Sequence, residues 1–182
     1  MKKLLVISVL LILLDQASKH IVRFVFADTL VVLVPRVLNI YPFHNTYLGW
    51  LGWWRGVVYE PSPLILVVIP HVVYVIFLVV GYNYLCFLTE KNRALLNAFF
   101  VFAVAGMGGS LIDGLFFGGS WDFIYVFDLF IMDVKDIYIF VNIILLFVFV
   151  ALYIPQYFRL SKEERNKLDF FAWFKNLFKT DP

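Results

Sequence analysis

The side chains in this sequence that could do chemistry are aspartates within or beside long apolar segments. They are Asp15, Asp113, Asp122, Asp133 and Asp136. A carboxylate inside lipid costs about 3 kcal/mol unless it is paired or hydrated, so several of them together indicate a functional site. Two carboxylates that share a proton form an acid/base pair, in which the ionised group takes a proton from water and the protonated group polarises a carbonyl. The sequence therefore favours peptide hydrolysis that needs no metal, no cofactor and no covalent intermediate.

Other catalytic chemistries have less support. The histidines His20, His44 and His71 are scattered, and none accompanies a serine that it could activate. Ser18 and Lys19 are neighbours that point to different faces of a helix, so we do not expect a Ser-Lys dyad. The chain has no His-Glu-x-x-His zinc motif, and its single cysteine rules out an internal disulfide.

Simpler interpretations exist for some of the aspartates. Asp15 and Lys19 are four residues apart and could neutralise one another on one helix face. Asp128 and Asp133 are interpreted as solvated charges at the membrane boundary.

The composition predicts an all-α membrane protein. Hydrophobic residues make up 63% of the 182 residues and charged residues only 15%, with a mean hydropathy of +0.88. A net charge of +2 without a basic stripe gives no footprint for nucleic acid. A membrane crossing needs about 20 apolar helical residues. Runs of that length predict four transmembrane helices, at about residues 4–26, 64–88, 94–117 and 136–158.

The remaining segments are predicted to lie at the two membrane surfaces. Residues 27–62 combine β-branched runs with prolines, which predicts a small extracytoplasmic β segment between helices one and two. Within it, Trp50, Trp53 and Trp54 are typical of an interfacial girdle. Residues 159–182 mix aromatic residues with lysines, which predicts an amphipathic cytoplasmic tail on the inner surface.

Charge and helical rise together predict the orientation and the depth of the site. Ten of the 15 Lys and Arg residues lie in the N-terminus, the loop after helix two and the tail, which places both termini in the cytoplasm. At 1.5 Å per residue, Lys19 lies ~22 Å from the start of helix one and Asp113 ~28 Å from the start of helix three. Asp122 and Asp136 flank the outer ends of helices three and four. The ionisable groups should therefore share one layer near the extracytoplasmic face.

Two further features bear on this topology. A cleaved signal peptide is the alternative interpretation of the N-terminus, but apolar sequence resumes after the polar patch and no small-x-small cleavage site follows. In helix three, small residues recur every four positions, at Gly106, Ser110, Gly114 and Gly118. Such a stripe lets a neighbouring helix come close and would hold Asp113 firmly.

Five segments, in chain order, are similar to the motifs of one family. They are residues 14–19 (LDQASK), 38–45 (LNIYPFHN), 109–113 (GSLID), 121–124 (WDFI) and 133–136 (DVKD). Together with the four-helix layout, they resemble the lipoprotein signal peptidases, or signal peptidase II, a family of intramembrane aspartyl proteases. Each motif is weak alone, but five in register are fairly specific.

The resemblance implies a site, a substrate and a location. The catalytic pair would be Asp122 and Asp136, and the substrate a bacterial prolipoprotein with a diacylglyceryl-modified cysteine, cleaved just before that cysteine. The protein would lie in the bacterial inner membrane among membrane lipids, as a monomer. The residues that would bind substrate or support the site are Asp15, Lys19, Asn45, Ser110 and Asp113.

The chain departs from the family pattern at four positions. Ser110 and Asp133 stand where the family has asparagine, Tyr47 where it has glycine, and Gly114 where it has arginine. Loss of the arginine removes a fork of hydrogen-bond donors. Two alternatives therefore stay open: a small membrane protein that translocates protons or solutes, and a catalytically impaired paralogue that acts as a scaffold.

Overall fold

The computed structural model describes residues 1–27, 29–47, 64–89 and 92–176. The predicted girdle of Trp50, Trp53 and Trp54 lies outside the described residues, as does the rest of 48–63. The end of the tail, residues 177–182, lies outside them as well.

Four long helices dominate the described part of the chain. They are α1 (Lys2–Phe26), α2 (Leu64–Leu88), α3 (Arg93–Ile112) and α4 (Val134–Arg159). Each is long and apolar enough to cross a membrane, α3 together with the π-helical turn that extends it to Phe117. A helix satisfies its own backbone hydrogen bonds, as a lipid environment demands. The prediction of four transmembrane helices is confirmed.

Helix α3 lies at the centre of the bundle and contacts the other three long helices. Its Phe100 and Ala103 are buried against Tyr82 of α2 and Phe149 of α4. A buried Ser8 on α1 donates a hydrogen bond to the carbonyl oxygen of Val101 on α3, at 3.2 Å. Small residues and polar contacts of this kind hold helices together where lipid removes the hydrophobic drive.

A four-stranded antiparallel sheet lies at one end of the bundle. Its strands are β1 (Val31–Val34), β2 (Leu38–Asn45), β3 (Ser120–Val126) and β4 (Phe130–Met132), in that spatial order. The sequence analysis predicted strands only within residues 27–62. Half of the strands instead come from the connection between α3 and α4, and β2 pairs with β3 across the two connections.

The tail packs at the other end of the bundle, where α2 ends and α3 begins. Two short helices, α5 (Lys162–Lys167) and α6 (Phe170–Asn176), follow α4. The Tyr84 hydroxyl of α2 donates a hydrogen bond to the Leu168 carbonyl oxygen at 2.6 Å. Phe170 and Trp173 pack their rings against that same tyrosine.

Candidate active site

Ionisable side chains from every element near the sheet converge at one place. Helix α1 contributes Asp15 and Lys19, the π-helical turn contributes Asp113, and β3 contributes Asp122. Residues at the start of α4 complete the group: Asp133, Lys135 and Asp136. The structure thus brings together the layer of charges that helical rise predicted.

Lys19 is shared by three carboxylates. Its Nζ lies 2.8 Å from Asp15 Oδ2, 2.7 Å from Asp113 Oδ2 and 2.8 Å from Asp133 Oδ2. All four side chains are buried. Buried charges are tolerated only when they are paired and hydrogen-bonded. Asp15 and Lys19 are therefore more than the isolated pair on one helix face that their spacing alone allowed.

Lys135 is a second buried cation, which the sequence analysis did not assign to the site. Its Nζ contacts Asp133 Oδ2, lies 3.1 Å from Asp113 Oδ2 and donates to Ser120 Oγ at 2.7 Å. The interpretation of Asp133 as a solvated boundary charge is wrong, because this residue is fully buried between the two lysines. We call Asp15, Lys19, Asp113, Asp133 and Lys135 the ionic cluster.

The two lysines keep Asp133 ionised. Burial by itself would raise the pKa of this carboxyl, but the positive charges of Lys135 and Lys19, and their hydrogen bonds, lower it below the ordinary value. Asp133 therefore acts as a fixed negative charge. It is poorly suited to hold a catalytic proton.

The first turn of α4 is held by reciprocal hydrogen bonds. Asp133 Oδ1 accepts from the Asp136 backbone N–H at 3.0 Å, and Asp136 Oδ2 accepts from the Asp133 backbone N–H at 3.2 Å. The Lys135 backbone N–H donates to Asp15 Oδ1 at 2.9 Å. These bonds satisfy N–H groups that a helix start leaves unpaired, and they fix the Asp136 side chain.

Asp122 and Asp136 are the two carboxylates of the site that are placed to act as an acid/base pair. Their carboxylate oxygens, together with that of Asp133, lie within 4.8 Å of one another. Asp122 Oδ2 accepts a hydrogen bond from Asn45 Nδ2 at 2.7 Å, whereas its buried Oδ1 accepts none from the described residues. We call Asp122 and Asp136 the acid pair.

The surroundings of Asp122 favour its protonated form. Burial raises the pKa of this carboxyl, and the negative charge of Asp133 raises it further, while Lys135 and the bond from Asn45 act in the opposite direction. The net effect is a pKa above the ordinary aspartate value. A carboxyl of this kind can hold a proton and then pass it on.

Asn45 is positioned by the sheet and by a neighbouring glycine. Its Oδ1 accepts from the Tyr47 backbone N–H at 3.1 Å, which fixes the amide orientation. A Cβ at Gly119 would lie 2.5 Å from the Asn45 carbonyl oxygen, and the φ of Gly119 is +155°. Only glycine allows the chain to enter β3 this close to Asn45.

Ser110 is the predicted site residue that does not join the hydrogen-bond network of the site. It is half-buried on α3, and its hydroxyl makes no hydrogen bond to any residue in the described ranges. Gln16, which the sequence analysis passed over, bridges Asp15 Oδ2 at 3.0 Å and Asp113 Oδ1 at 3.1 Å. Its position inside the LDQASK motif was the sequence feature that could have assigned Gln16 to the site.

Two trios of carboxylates are close enough to hold a cation. They are Asp15, Asp113 and Asp133, and Asp122, Asp133 and Asp136. The ammonium groups of Lys19 and Lys135 already lie against the first trio and against Asp133 of the second. The chain's own cations therefore supply positive charge at this place.

Four helices that can span a membrane, with buried acids at one end, define a multi-pass membrane protein, and comparisons with known proteins identify the family. The family model described as signal peptidase (SPase) II matches residues 7–152. The chain therefore belongs to the signal peptidase II family, whose members are membrane proteases of the aspartic type.

Two solved structures share the fold of this chain. One, described as a bacterial membrane enzyme determined by the in meso method at 2.3 Å resolution, is 20% identical with a TM-score of 0.60, covering 89% of this chain and 94% of its own. Another of the same description, at 1.9 Å resolution, is 20% identical with a TM-score of 0.55, covering 81% and 92%. No curated protein matches the chain significantly.

The close packing of α3 against the ionic cluster gives a first test. A Cβ at Gly109 would lie 3.1 Å from Asp15 Oδ2 and 3.3 Å from Lys135 Cβ, and hydrogen bonds hold both residues in place. We expect Gly109→Ala to destabilise the protein by about 2 kcal/mol through overpacking. The fall appears as a lower Tm of the purified protein in detergent.

Gly81 provides the matched control, since a Cβ there meets nothing within 4 Å. Gly81→Ala should leave the Tm unchanged or raise it slightly, because alanine is favoured over glycine inside a helix. Equal Tm values for the two alanine variants would contradict the packing argument.

Proposed function

We propose that this protein is the endopeptidase that removes the signal peptide from diacylglyceryl-modified bacterial prolipoproteins, cleaving just before the lipid-bearing cysteine. Membership of the signal peptidase II family supports the general activity. The observation that carries the residue assignment is the approach of Asp122 and Asp136 to within 4.8 Å, from β3 and from α4. These two residues are the proposed catalytic pair.

The chemistry follows from two carboxylates that share one proton. The ionised member takes a proton from a water molecule as the water oxygen bonds to the scissile carbonyl carbon, and the protonated member donates to the carbonyl oxygen. The tetrahedral intermediate then collapses, the C–N bond breaks and the leaving nitrogen takes a proton from the pair. The proton belongs to the pair as a whole, since two acids this close titrate together.

The other predicted site residues support this pair. Asn45 donates to Asp122 and so fixes one carboxylate while leaving its Oδ1 for water or substrate. Asp15, Lys19 and Asp113 hold the start of α4, which carries Asp136. A site at the end of the bundle suits a substrate whose acyl chains stay in the lipid while its peptide enters sideways.

Replacing either member of the acid pair tests the assignment. Asp122→Asn and Asp136→Asn should each lower cleavage of a diacylglyceryl-modified precursor by at least about a hundredfold, because an amide neither takes a proton from water nor donates as an acid. Mass spectrometry of the products measures the rate and the cleaved bond. The precursor without its lipid should be a poor substrate for the unaltered enzyme.

Asp128→Asn is the control for these variants. Asp128 is an exposed carboxylate beside the same sheet and accepts a hydrogen bond from Asn39 at 3.1 Å. Its amide variant should cleave at the normal rate. Full activity of both acid-pair variants would refute the proposed catalytic pair.

The proposed orientation places both termini in the cytoplasm of a bacterium and the acid pair near the outer face of its inner membrane. The excess of Lys and Arg in the N-terminus, the loop after α2 and the tail supports it. The sheet and the tail lie at opposite ends of the bundle, so one position at each end suffices for a test.

Thiol labelling of intact cells measures this orientation. Cys86 is the single cysteine of the chain, so Cys86→Ser gives a background for Leu129→Cys beside the sheet and Lys162→Cys in the tail. Both positions are exposed. A membrane-impermeant reagent should label the first variant in intact cells and the second only after permeabilisation; the reverse pattern would overturn the orientation.

A further inference from the structure

Lys135 is a buried cation for which the hydrolytic mechanism has no direct use. Its backbone N–H is bound to Asp15 of α1, and its ammonium group contacts Asp133, Asp113 and Ser120. One residue therefore ties α1, the π-helical turn and β3 to the start of α4. Only 7% of it is exposed.

Lys135 faces charged groups on several elements around it. The elements that bring charge are α1, the π-helical turn, β3 and the first turn of α4, while α3 packs against Lys135 at Gly109 without a charged group there. Their charged groups are Asp15, Lys19, Asp113, Asp122, Asp133 and Asp136. Five of these six are acids, so the positive charge of Lys135 lies in a strongly negative surrounding.

Two buried carboxylates have Lys135 as a direct partner. Asp133 is in direct contact with its ammonium group, and Asp113 Oδ2 lies 3.1 Å from the same Nζ. Lys135 thus supplies a positive charge to both carboxylates.

We propose that Lys135 is a positioning residue of the peptidase, which holds Asp136 through Asp133 and supplies a positive charge to the buried carboxylates beside the acid pair. This inference rests on the proposed function of the acid pair. Asp133 is the physical link, since its Oδ2 contacts Lys135 while its Oδ1 accepts from the Asp136 backbone N–H.

The charge of Lys135 also acts on the proton of the acid pair. It lowers the pKa of Asp122, against burial and the charge of Asp133, which raise it. Without Lys135 the pKa of Asp122 rises further. The pair must have lost one proton before it can activate water, so activity should then begin only at higher pH.

The test compares Lys135→Met, which removes the charge, with Lys135→Arg, which keeps it. In the full-length protein, Lys135→Met should move the acid limb of the kcat/KM profile upward by about one pH unit. It should lower kcat much more than it changes KM. Lys135→Arg should keep the acid limb of the unaltered enzyme, and Lys162→Met, in the exposed tail, should change nothing.

A second pair of variants makes the test independent of how well Lys135→Met folds. Asp133→Asn restores the family's residue and removes the charge that Lys135 neutralises. The double variant Asp133→Asn/Lys135→Met should therefore have a higher Tm than Lys135→Met alone, which leaves Asp133 buried with one cation fewer. The acid limb of the double variant should still lie at higher pH than that of Asp133→Asn.

The outcomes separate this inference from the proposed function. An unaltered enzyme that leaves the lipid-modified precursor intact would overturn the proposed function, and this inference with it. The role of Lys135 would be overturned, and the proposed function kept, if the unaltered enzyme cleaves normally and neither acid limb is shifted. The acid limb of Lys135→Met is compared with that of the unaltered enzyme, and the acid limb of the double variant with that of Asp133→Asn. The role of Lys135 would also be overturned if Lys135→Arg, which keeps the charge, shifted the acid limb as far as Lys135→Met does.

Discussion

The pairing of two buried ammonium groups with three carboxylates is the constraint on which the rest of the structure depends. A single unpaired charge at this depth costs more than a helix-packing contact returns. The members of the ionic cluster come from α1, the π-helical turn and the start of α4, so Lys19 reaches all three of its carboxylates only when these three elements meet. A slip of α4 by one turn, about 5.4 Å, would separate Asp133 from Lys19 and Lys135 from Asp113. The exposed surfaces of the helices, which are mostly apolar, impose no such register.

The same constraint separates two kinds of buried aspartate. Asp133 is surrounded by ammonium groups, which lower its pKa, whereas Asp122 has an amide on one oxygen, no partner among the described residues on the other, and a raised pKa. Burial alone does not make the difference, because both side chains are buried. The distribution of cations favours the ionised form of Asp133 and leaves Asp122 better able to hold a proton. Pairs of acids with different environments are the usual basis of acid/base catalysis at neutral pH.

Much of this arrangement could be predicted from the sequence, and the reason is geometric. Apolar runs about 20 residues long fix the helices, and a constant rise per residue places Lys19 and Asp113 at a similar depth. The burial of Asp133 and the role of Lys135 could not be read in this way. They depend on the bend where β4 ends and α4 begins, and on contacts with residues more than a hundred positions away, such as the bond from Lys135 to Asp15.

The strands β3 and β4 were missed for a related reason. β4 has only three residues, and β2, with which β3 pairs, lies about 80 residues earlier in the chain, so the pairing that places Ser120 and Asp122 in a sheet is not visible locally. The consequence for function is that the acid pair is divided between a strand and a helix. Ser120 joins the two, since its hydroxyl accepts from Lys135 and donates its one hydrogen to Asp133 Oδ2 at 2.7 Å or to Asp113 Oδ2 at 3.1 Å. The distance between Asp122 and Asp136 is therefore set by how the sheet docks on the ionic cluster. A network without catalytic chemistry of its own thus determines whether the two carboxylates can share a proton.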